Sequence, residues 1–217
     1  MRVPVRPALI AALLGAALVL VACGGDDKPK NTGAVTGLAT GTSTAPGETA
    51  TVPPAGAATT TAGLPVPKEG TVLEQIDIPK IGLQSPVETK GVNSRGEMED
   101  PSGKDAVAWY TFSEFPGFGG NAVFSGHVDW FTGELGSFGR MKELKDGDEI
   151  LVKMSDGMEL KYKVSSSKLL KVDEVKVDEV VGRTEKDSLT FITCEGTFNR
   201  SSQDYSHRRI VRAERAA

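Results

Sequence analysis

Three kinds of side chain in this sequence have the chemistry of thiol-based acyl transfer. Cys194 closes the run Thr190-Phe191-Ile192-Thr193-Cys194, His127 stands in Phe124-Ser125-Gly126-His127-Val128-Asp129, and two arginines, Arg208 and Arg209, follow downstream. A thiol is mostly protonated near neutrality, so a nucleophilic cysteine needs a base or a positive charge beside it. An imidazole titrates in that range, and can hold a proton facing a thiolate and then deliver it to a departing amine. A guanidinium gives paired donors to a carbonyl and to the negative charge that develops on it. The chain has only two histidines, and His207 sits in a polar stretch between Ser206 and Arg208, which makes His127 the better partner for the thiol.

Each of these residues also has an inert reading. A lone cysteine is often a small buried hydrophobe, a lone histidine is usually structural, and surface arginines are usually solvated. Glu195-Gly196-Thr197-Phe198-Asn199 is polar and turn-rich, which places the sulfur at a strand's end beside a loop mouth and favours function. Arg208 and Arg209 open the last strand, where alternation sends one guanidinium toward the sulfur's cleft and the other to solvent. Two histidines and one thiolate are too few and too scattered for a metal site, and no cofactor is expected. Asp173-Glu174 and Asp178-Glu179 read as a solvated face, with a calcium-binding loop as the alternative.

The elements that must position these groups read as β-structure. From Gly70 onward, short alternating apolar runs are separated by Gly, Asp, Asn and Pro, the texture of an all-β barrel or sandwich. Strands are expected at 76–81 and 85–88, with prolines marking edges, and at 106–112, 121–126, 189–194 and 208–213. Glu149 to Met154, a turn at Asp156-Gly157, and Met158 to Val164 form the clearest hairpin. Phe138, Met141 and Leu144 recur at helical spacing and predict a short helix. The tandem copies Lys171-Val172-Asp173-Glu174-Val175 and Lys176-Val177-Asp178-Glu179-Val180 predict a surface connection with a turn or two of helix.

Upstream, the chain has another character. Arg2 and Arg6 precede an apolar run from Ala8 to Ala22 that ends in Leu20-Val21-Ala22-Cys23, which predicts a signal peptide over residues 1–22. The last four residues match the lipobox of bacterial lipoproteins, in which Cys23 is acylated. An uncleaved signal anchor is the alternative. Either places the domain outside the cytoplasm. Residues 23–68, rich in Thr, Ala, Gly and Pro, predict a flexible linker, with an end-to-end distance of roughly 35–40 Å. The rest, residues 69–217, has the size of one ordinary domain. The formal net charge of the 217-residue chain is −4, and a mildly acidic surface argues against nucleic acid as a partner.

Taken in order, these segments resemble the sortases, cysteine transpeptidases of the bacterial cell surface, from about Leu73 to Ala213. Ile76-Asp77-Ile78-Pro79-Lys80-Ile81-Gly82 resembles the family's opening strand, and Thr190-Phe191-Ile192-Thr193-Cys194 its Thr-Leu-x-Thr-Cys motif with Phe191 replacing leucine. Ser125-Gly126-His127-Val128-Asp129 is most similar to class F, with class E next. Counting back from Ile210-Val211-Arg212-Ala213, the family's arginine falls on Arg208, with Arg209 in reserve. Many class F members carry an Asp-Asn pair where this chain has His207-Arg208.

The resemblance implies a closed eight-stranded β-barrel with short helices in its connecting loops, and a cleft holding Cys194, His127 and Arg208. Cys194 would attack the Thr–Gly bond of a Leu-Pro-x-Thr-Gly-like sorting signal and form a thioacyl enzyme. His127 would protonate the leaving amine, and Arg208 would steady the carbonyl. The connection from Lys171 to Asp187 corresponds to the region that recognises the signal. The implied partners are exported proteins carrying such a signal at their C-terminus, and an amine acceptor such as a cell-wall peptide or a pilin lysine, or else water. The implied location is the outer face of the cell membrane, held there by lipid at Cys23 or by the anchor. Two other readings stand beside this one. The first is a lipid-tethered peptide-binding module with little activity. The second, an L,D-transpeptidase, lacks its usual Ser-x-Gly-Cys surroundings at Cys194.

Overall fold

Alternation builds the clearest part of the structure, a computed structural model that describes residues 63–217. The expected signal peptide over 1–22, the lipid site at Cys23 and most of the 23–68 linker lie outside the described residues. In β5 (Glu149–Met154) the side chains of Ile150, Val152 and Met154 are buried, and in β6 (Glu159–Lys171) those of Leu160, Tyr162 and Val164. Their charged neighbours Glu149, Lys161 and Lys163 face out, so one side of the hairpin becomes core.

Six further strands complete the sheet: β1 (Leu73–Ile78), β2 (Leu83–Lys90), β3 (Val107–Tyr110), β4 (Asn121–Gly126), β7 (Ser188–Asn199) and β8 (Asp204–Arg215). They close into an all-β barrel in the order β1-β2-β3-β4-β7-β8-β6-β5. Neighbours are antiparallel except β2–β3 and β4–β7, which are parallel. The interior is apolar. Phe124 and Phe191 stack with ring centroids 5.2 Å apart, and Phe138 meets Phe191 edge-on at 5.8 Å.

Four local expectations change. Pro86 does not mark a sheet edge, because β2 pairs on both sides, but its pairing with β3 begins only at Val87, so the missing N–H breaks no bond there. The expected helix at 138–144 is a single 3₁₀ turn at Met141–Glu143. Phe138, Met141 and Leu144 lie three apart, the 3₁₀ repeat rather than the α repeat, and all three are buried. The hairpin strand runs on to Lys171 through a bulge between Val164 and Ser166, where three serines remove the apolar signal. Strand β7 does not end at Cys194: β7 and β8 extend beyond the barrel as a two-stranded arm reaching Asn199 and Asp204. The arm is largely polar on both faces, so no alternation marks it.

The tandem repeat forms a 3₁₀ turn at Val172–Glu174 and a short helix, α1 (Val177–Val181). Asn121 Nδ2 donates to the carbonyls of Val180 and Gly182 at 3.0 Å each, and Arg212 Nη2 donates to those of Glu179 and Val180. These bonds satisfy carbonyls that the end of a short helix leaves open. Among the described residues, no helix is long and apolar enough to cross a membrane.

At the start of β7 and the end of β8 lies a buried polar knot. Asp187 accepts from the Tyr162 hydroxyl at 2.9 Å, and Arg215 lies 3.7 Å from the same carboxylate and over the Tyr162 ring. Burial pushes the Asp187 carboxyl up despite the hydrogen bond from Tyr162 and the charge of Arg215. Arg215 Nη2 also donates to the Pro65 carbonyl, and Pro67 lies so close to Gly117 that a Cβ there would approach Pro67 Cδ to 2.7 Å. Residues 65–67 are thereby fixed to this end of the barrel. Removing one partner of a buried charged pair strands the other. Arg215→Ala should therefore lower the unfolding free energy by about 3–5 kcal/mol, read from urea denaturation. A loss below about 1 kcal/mol, the size of an exposed pair, would show that the knot is not structural.

Candidate active site

The two faces of β7 have different tasks. Leu189, Phe191 and Thr193 point into the barrel, and Thr193 Oγ1 donates to the Gly126 carbonyl at 2.8 Å. Thr190, Ile192 and Cys194 point outward. Ile192 joins a second apolar cluster with Tyr110, Val123, Met98 and Val181 on the outer surface. Cys194, half-buried and unpaired, therefore opens outside the barrel wall.

Register sets its neighbours. In the antiparallel pairing of β7 with β8, Cys194 stands opposite Arg208, and paired residues share a face. In the parallel pairing of β4 with β7, Ser125 stands opposite Ile192, so His127, just past the end of β4, and Cys194, still within β7, each two residues further on, come side by side. His127, Cys194 and Arg208 line one groove of about 270 Å³, with Tyr110 and Met98 along one side and Tyr205 along another. The three residues singled out from the sequence are thus brought together.

Arg209 is not at this groove. It stands opposite Thr193, on the barrel-interior face, where its Nε and Nη2 donate to the Glu195 carboxylate at 2.8 and 2.9 Å. The expectation that the second arginine faces solvent is corrected: its side chain is only 14% exposed, because the barrel mouth encloses this ion pair. The guanidinium in turn holds the Glu195 carboxyl below the usual range.

His127 is fixed by its backbone and its ring. Phe138 N donates to the His127 carbonyl at 2.9 Å, and Gly136 N donates to the Val128 carbonyl at 3.0 Å. Gly136 passes so close that a Cβ there would lie 2.3 Å from the His127 carbonyl oxygen, so only glycine fits this return path. The imidazole Nε2 is 3.0 Å from the carbonyl of Pro101, and Trp130 meets the ring edge-on at 5.1 Å. A carbonyl can only accept, so Nε2 carries the proton and Nδ1 is the ring's other position.

Arg208 is heavily engaged. Nη2 lies 2.8 and 3.0 Å from the two oxygens of Asp204, and Nη1 donates to the carbonyls of Tyr205 and His207 at 3.2 Å each. These bonds hold the guanidinium at the Cys194 face of β8. Burial pushes the Cys194 thiol up, and Arg208 pulls it down. Asp204, Asp100 and Asp129 push it up again. The resting sulfur is accordingly a thiol at neutral pH, and a nucleophilic thiolate requires transfer of its proton to a base at the groove.

Sequence reading missed Asp204, Tyr205 and Pro101 as site residues. Asp204 and Tyr205 lie on the arm that carries no periodic signal. Pro101 acts through its backbone, which residue type does not report. Among the described residues, no group of three or more His, Cys, Asp or Glu side chains is placed to hold a metal.

Comparison with known proteins agrees with this architecture. A family model described as Sortase domain matches residues 76–216. No curated protein matches the chain. Among solved structures, it is similar to a lid mutant of sortase A from Corynebacterium diphtheriae, with 23% identity and a TM-score of 0.51 over 67% of this chain and 70% of that one. Sortase C-1 from Actinomyces oris shares 26% identity, with a TM-score of 0.50 over 66% of this chain and 71% of that one. The sortase D5 transpeptidase of Clostridium perfringens shares 21%, with a TM-score of 0.50 over 67% and 79%. At 23% and 21% identity, two of these likenesses speak for the fold alone.

The electrostatics of the groove lead to a measurable profile. The rate of Cys194 alkylation by iodoacetamide, followed by mass spectrometry, should keep rising with pH beyond the ordinary thiol range. Arg208→Ala removes the charge that favours the thiolate and should move the profile higher still. A plateau already reached at neutral pH would contradict this account of the sulfur.

Proposed function

The chain belongs to the sortase family of cysteine transpeptidases, and we propose that Cys194, His127 and Arg208 form its reaction centre, cleaving the Thr–Gly bond of a Leu-Pro-x-Thr-Gly-like sorting signal. The observation that carries this reading is the register of β7 against β4 and β8, which opens all three groups onto one groove.

The steps follow from the groups present. The Cys194 thiol gives its proton to His127, and the sulfur attacks the threonine carbonyl carbon. Arg208 donates to the carbonyl oxygen as negative charge builds on it. The C–N bond then breaks, His127 delivers the proton to the leaving glycine amine, and a thioacyl enzyme remains. An incoming amine loses a proton to His127 and attacks the thioester. The new amide forms, the C–S bond breaks, and the sulfur recovers a proton. Water in place of the amine yields hydrolysis. Desolvation keeps the thiol protonated at rest, so the reaction depends on transfer of its proton to the imidazole already held in the groove.

An extended peptide suits the shape of the site, because the floor is strand and the rim is loop. Its apolar stretch, with Met98, Tyr110 and Ile192, lies toward α1, the connection that corresponds to the signal-recognition region of sortases. The motif Ser125-Gly126-His127-Val128-Asp129 supports a class F assignment, with class E next. Sortases act at the cell surface. Attachment of this chain to the outer face of the membrane, by lipid on Cys23 or by an uncleaved anchor, rests on residues 1–23. The proposed partners are exported proteins bearing the signal, and a cell-wall peptide or pilin lysine as the amine.

A fluorogenic peptide containing Leu-Pro-Glu-Thr-Gly tests the reading, with triglycine or a diamino acid as acceptor. Cys194→Ala should abolish cleavage while leaving the fold intact. His127→Ala should lower kcat/KM by about a hundred- to ten-thousandfold, and Arg208→Ala by about a hundred- to a thousandfold. Wild-type turnover in Cys194→Ala would remove the mechanism. Tight peptide binding without cleavage by the wild-type chain would favour the binding-module reading.

A further inference from the structure

The sheet order β4-β7-β8 puts the loop that follows β4 and the start of β8 on opposite sides of β7, with no main-chain pairing between them. One side carries His127 and the other carries Arg208, so the distance between these groups is not set by a shared ladder. Tyr205 is bonded to both sides. Its hydroxyl donates to Asp129 Oδ2, two residues beyond His127, and its carbonyl accepts from Arg208 Nη1 at 3.2 Å. Tyr205 stands opposite Phe198, beyond Cys194 on β7, and Asp129 and Tyr205 both line the groove with Cys194.

The remaining ties of the histidine loop run elsewhere. Gly136 and Phe138 bond Val128 and His127 to the loop's own return path, and Trp130 N bonds to the Glu134 carbonyl within the loop. At the tip, Phe131 is 87% exposed and meets only Trp130 of the same loop among aromatic rings of the described residues. On the other side, the Tyr205 ring lies 5.1 Å from that of Phe198 across the arm, which steadies the phenol without enclosing it. Burial first, and then the bond to Asp129 and its charge, push the Tyr205 hydroxyl up to about 12, so it stays a donor at every working pH.

We propose that Tyr205 is a positioning residue: its hydrogen bond to Asp129 straps the His127 loop to the β7–β8 arm and sets the spacing of imidazole and guanidinium across Cys194. This rests on the assignment of those three groups as the reaction centre. The strap acts on geometry and not on the chemistry of the groups themselves. Its loss should therefore lower the rate of the reacting complex more than the binding of the peptide.

Tyr205→Phe removes the hydroxyl while keeping the ring and the carbonyl that Arg208 uses. With the Leu-Pro-Glu-Thr-Gly peptide, kcat should fall about ten- to a hundredfold, the scale of a small misplacement, with KM changed less than about twofold. Asp129→Ala should give a similar loss, and the double variant should be no worse than either single one, as for two ends of one bond. Asp129→Asn keeps a carbonyl acceptor and should recover part of the rate lost in Asp129→Ala. A second measurement needs no substrate: hydrogen exchange at the amides of Trp130 and Gly136 should quicken in Tyr205→Phe. Wild-type kcat in Tyr205→Phe, additive losses in the double variant, or unchanged exchange in the loop would each overturn the strap. If the wild-type chain fails to cleave the peptide, the assignment of the reaction centre is what fails, and the exchange measurement still decides whether the strap exists.

Discussion

The antiparallel register that sets Cys194 opposite Arg208 is the constraint on which the site depends. A slip of one residue would turn either the sulfur of Cys194 or the guanidinium of Arg208 into the barrel, away from the other. The slip is opposed on the inner face, where it would carry outward either Leu189 and Phe191 of β7 or Val211 and Ala213 of β8, all fully buried. Packing inside the barrel thus fixes the chemistry outside it. Arg209 and Glu195 reinforce the same register, because their bidentate ion pair forms only when both side chains face the barrel mouth.

The parallel pairing of β4 with β7 supplies the second coordinate and also leaves a gap. Strands paired in parallel run on past their last shared ladder bond in the same direction, so His127, beyond the end of β4, and Cys194, still paired with β8, lie at the same end of the β4–β7 ladder. Nothing in the ladder then restrains how far the histidine loop leans away. Backbone bonds to Gly136 and Phe138, the Pro101 carbonyl and the Tyr205 hydroxyl make up that restraint from three parts of the chain. The arginine is likewise held by Asp204 on its own strand. A carboxylate that orients the guanidinium also weakens the field it exerts on the sulfur, which is consistent with a thiol held high by burial.

How much of this could be read from residue order depended on whether one face of an element was dry. Strands β5 and β6 declared themselves, because Ile150, Val152, Leu160 and Tyr162 alternate with charged neighbours. Cys194, His127 and Arg208 were recognisable because residue type alone limits what each can do. The arm beyond Cys194 was not legible, since both its faces meet water and Glu195 to Asn199 look like a turn. The contact between Tyr205 and Asp129 spans 76 positions and has no local spacing to betray it. The short helix expected from Phe138, Met141 and Leu144 forms as a 3₁₀ turn, because three buried residues at intervals of three fit that repeat as well as an amphipathic α-helical face.

The knot of Tyr162, Asp187 and Arg215 also decides how the domain is hung. Pro65 and Pro67 are fastened where β7 begins, and from Asp187 to Cys194 along that strand is about 23 Å at the usual rise per residue. The polypeptide therefore joins the barrel at the pole away from the sulfur. Residues 65–67 thus lie clear of the groove lined by Cys194, His127 and Arg208.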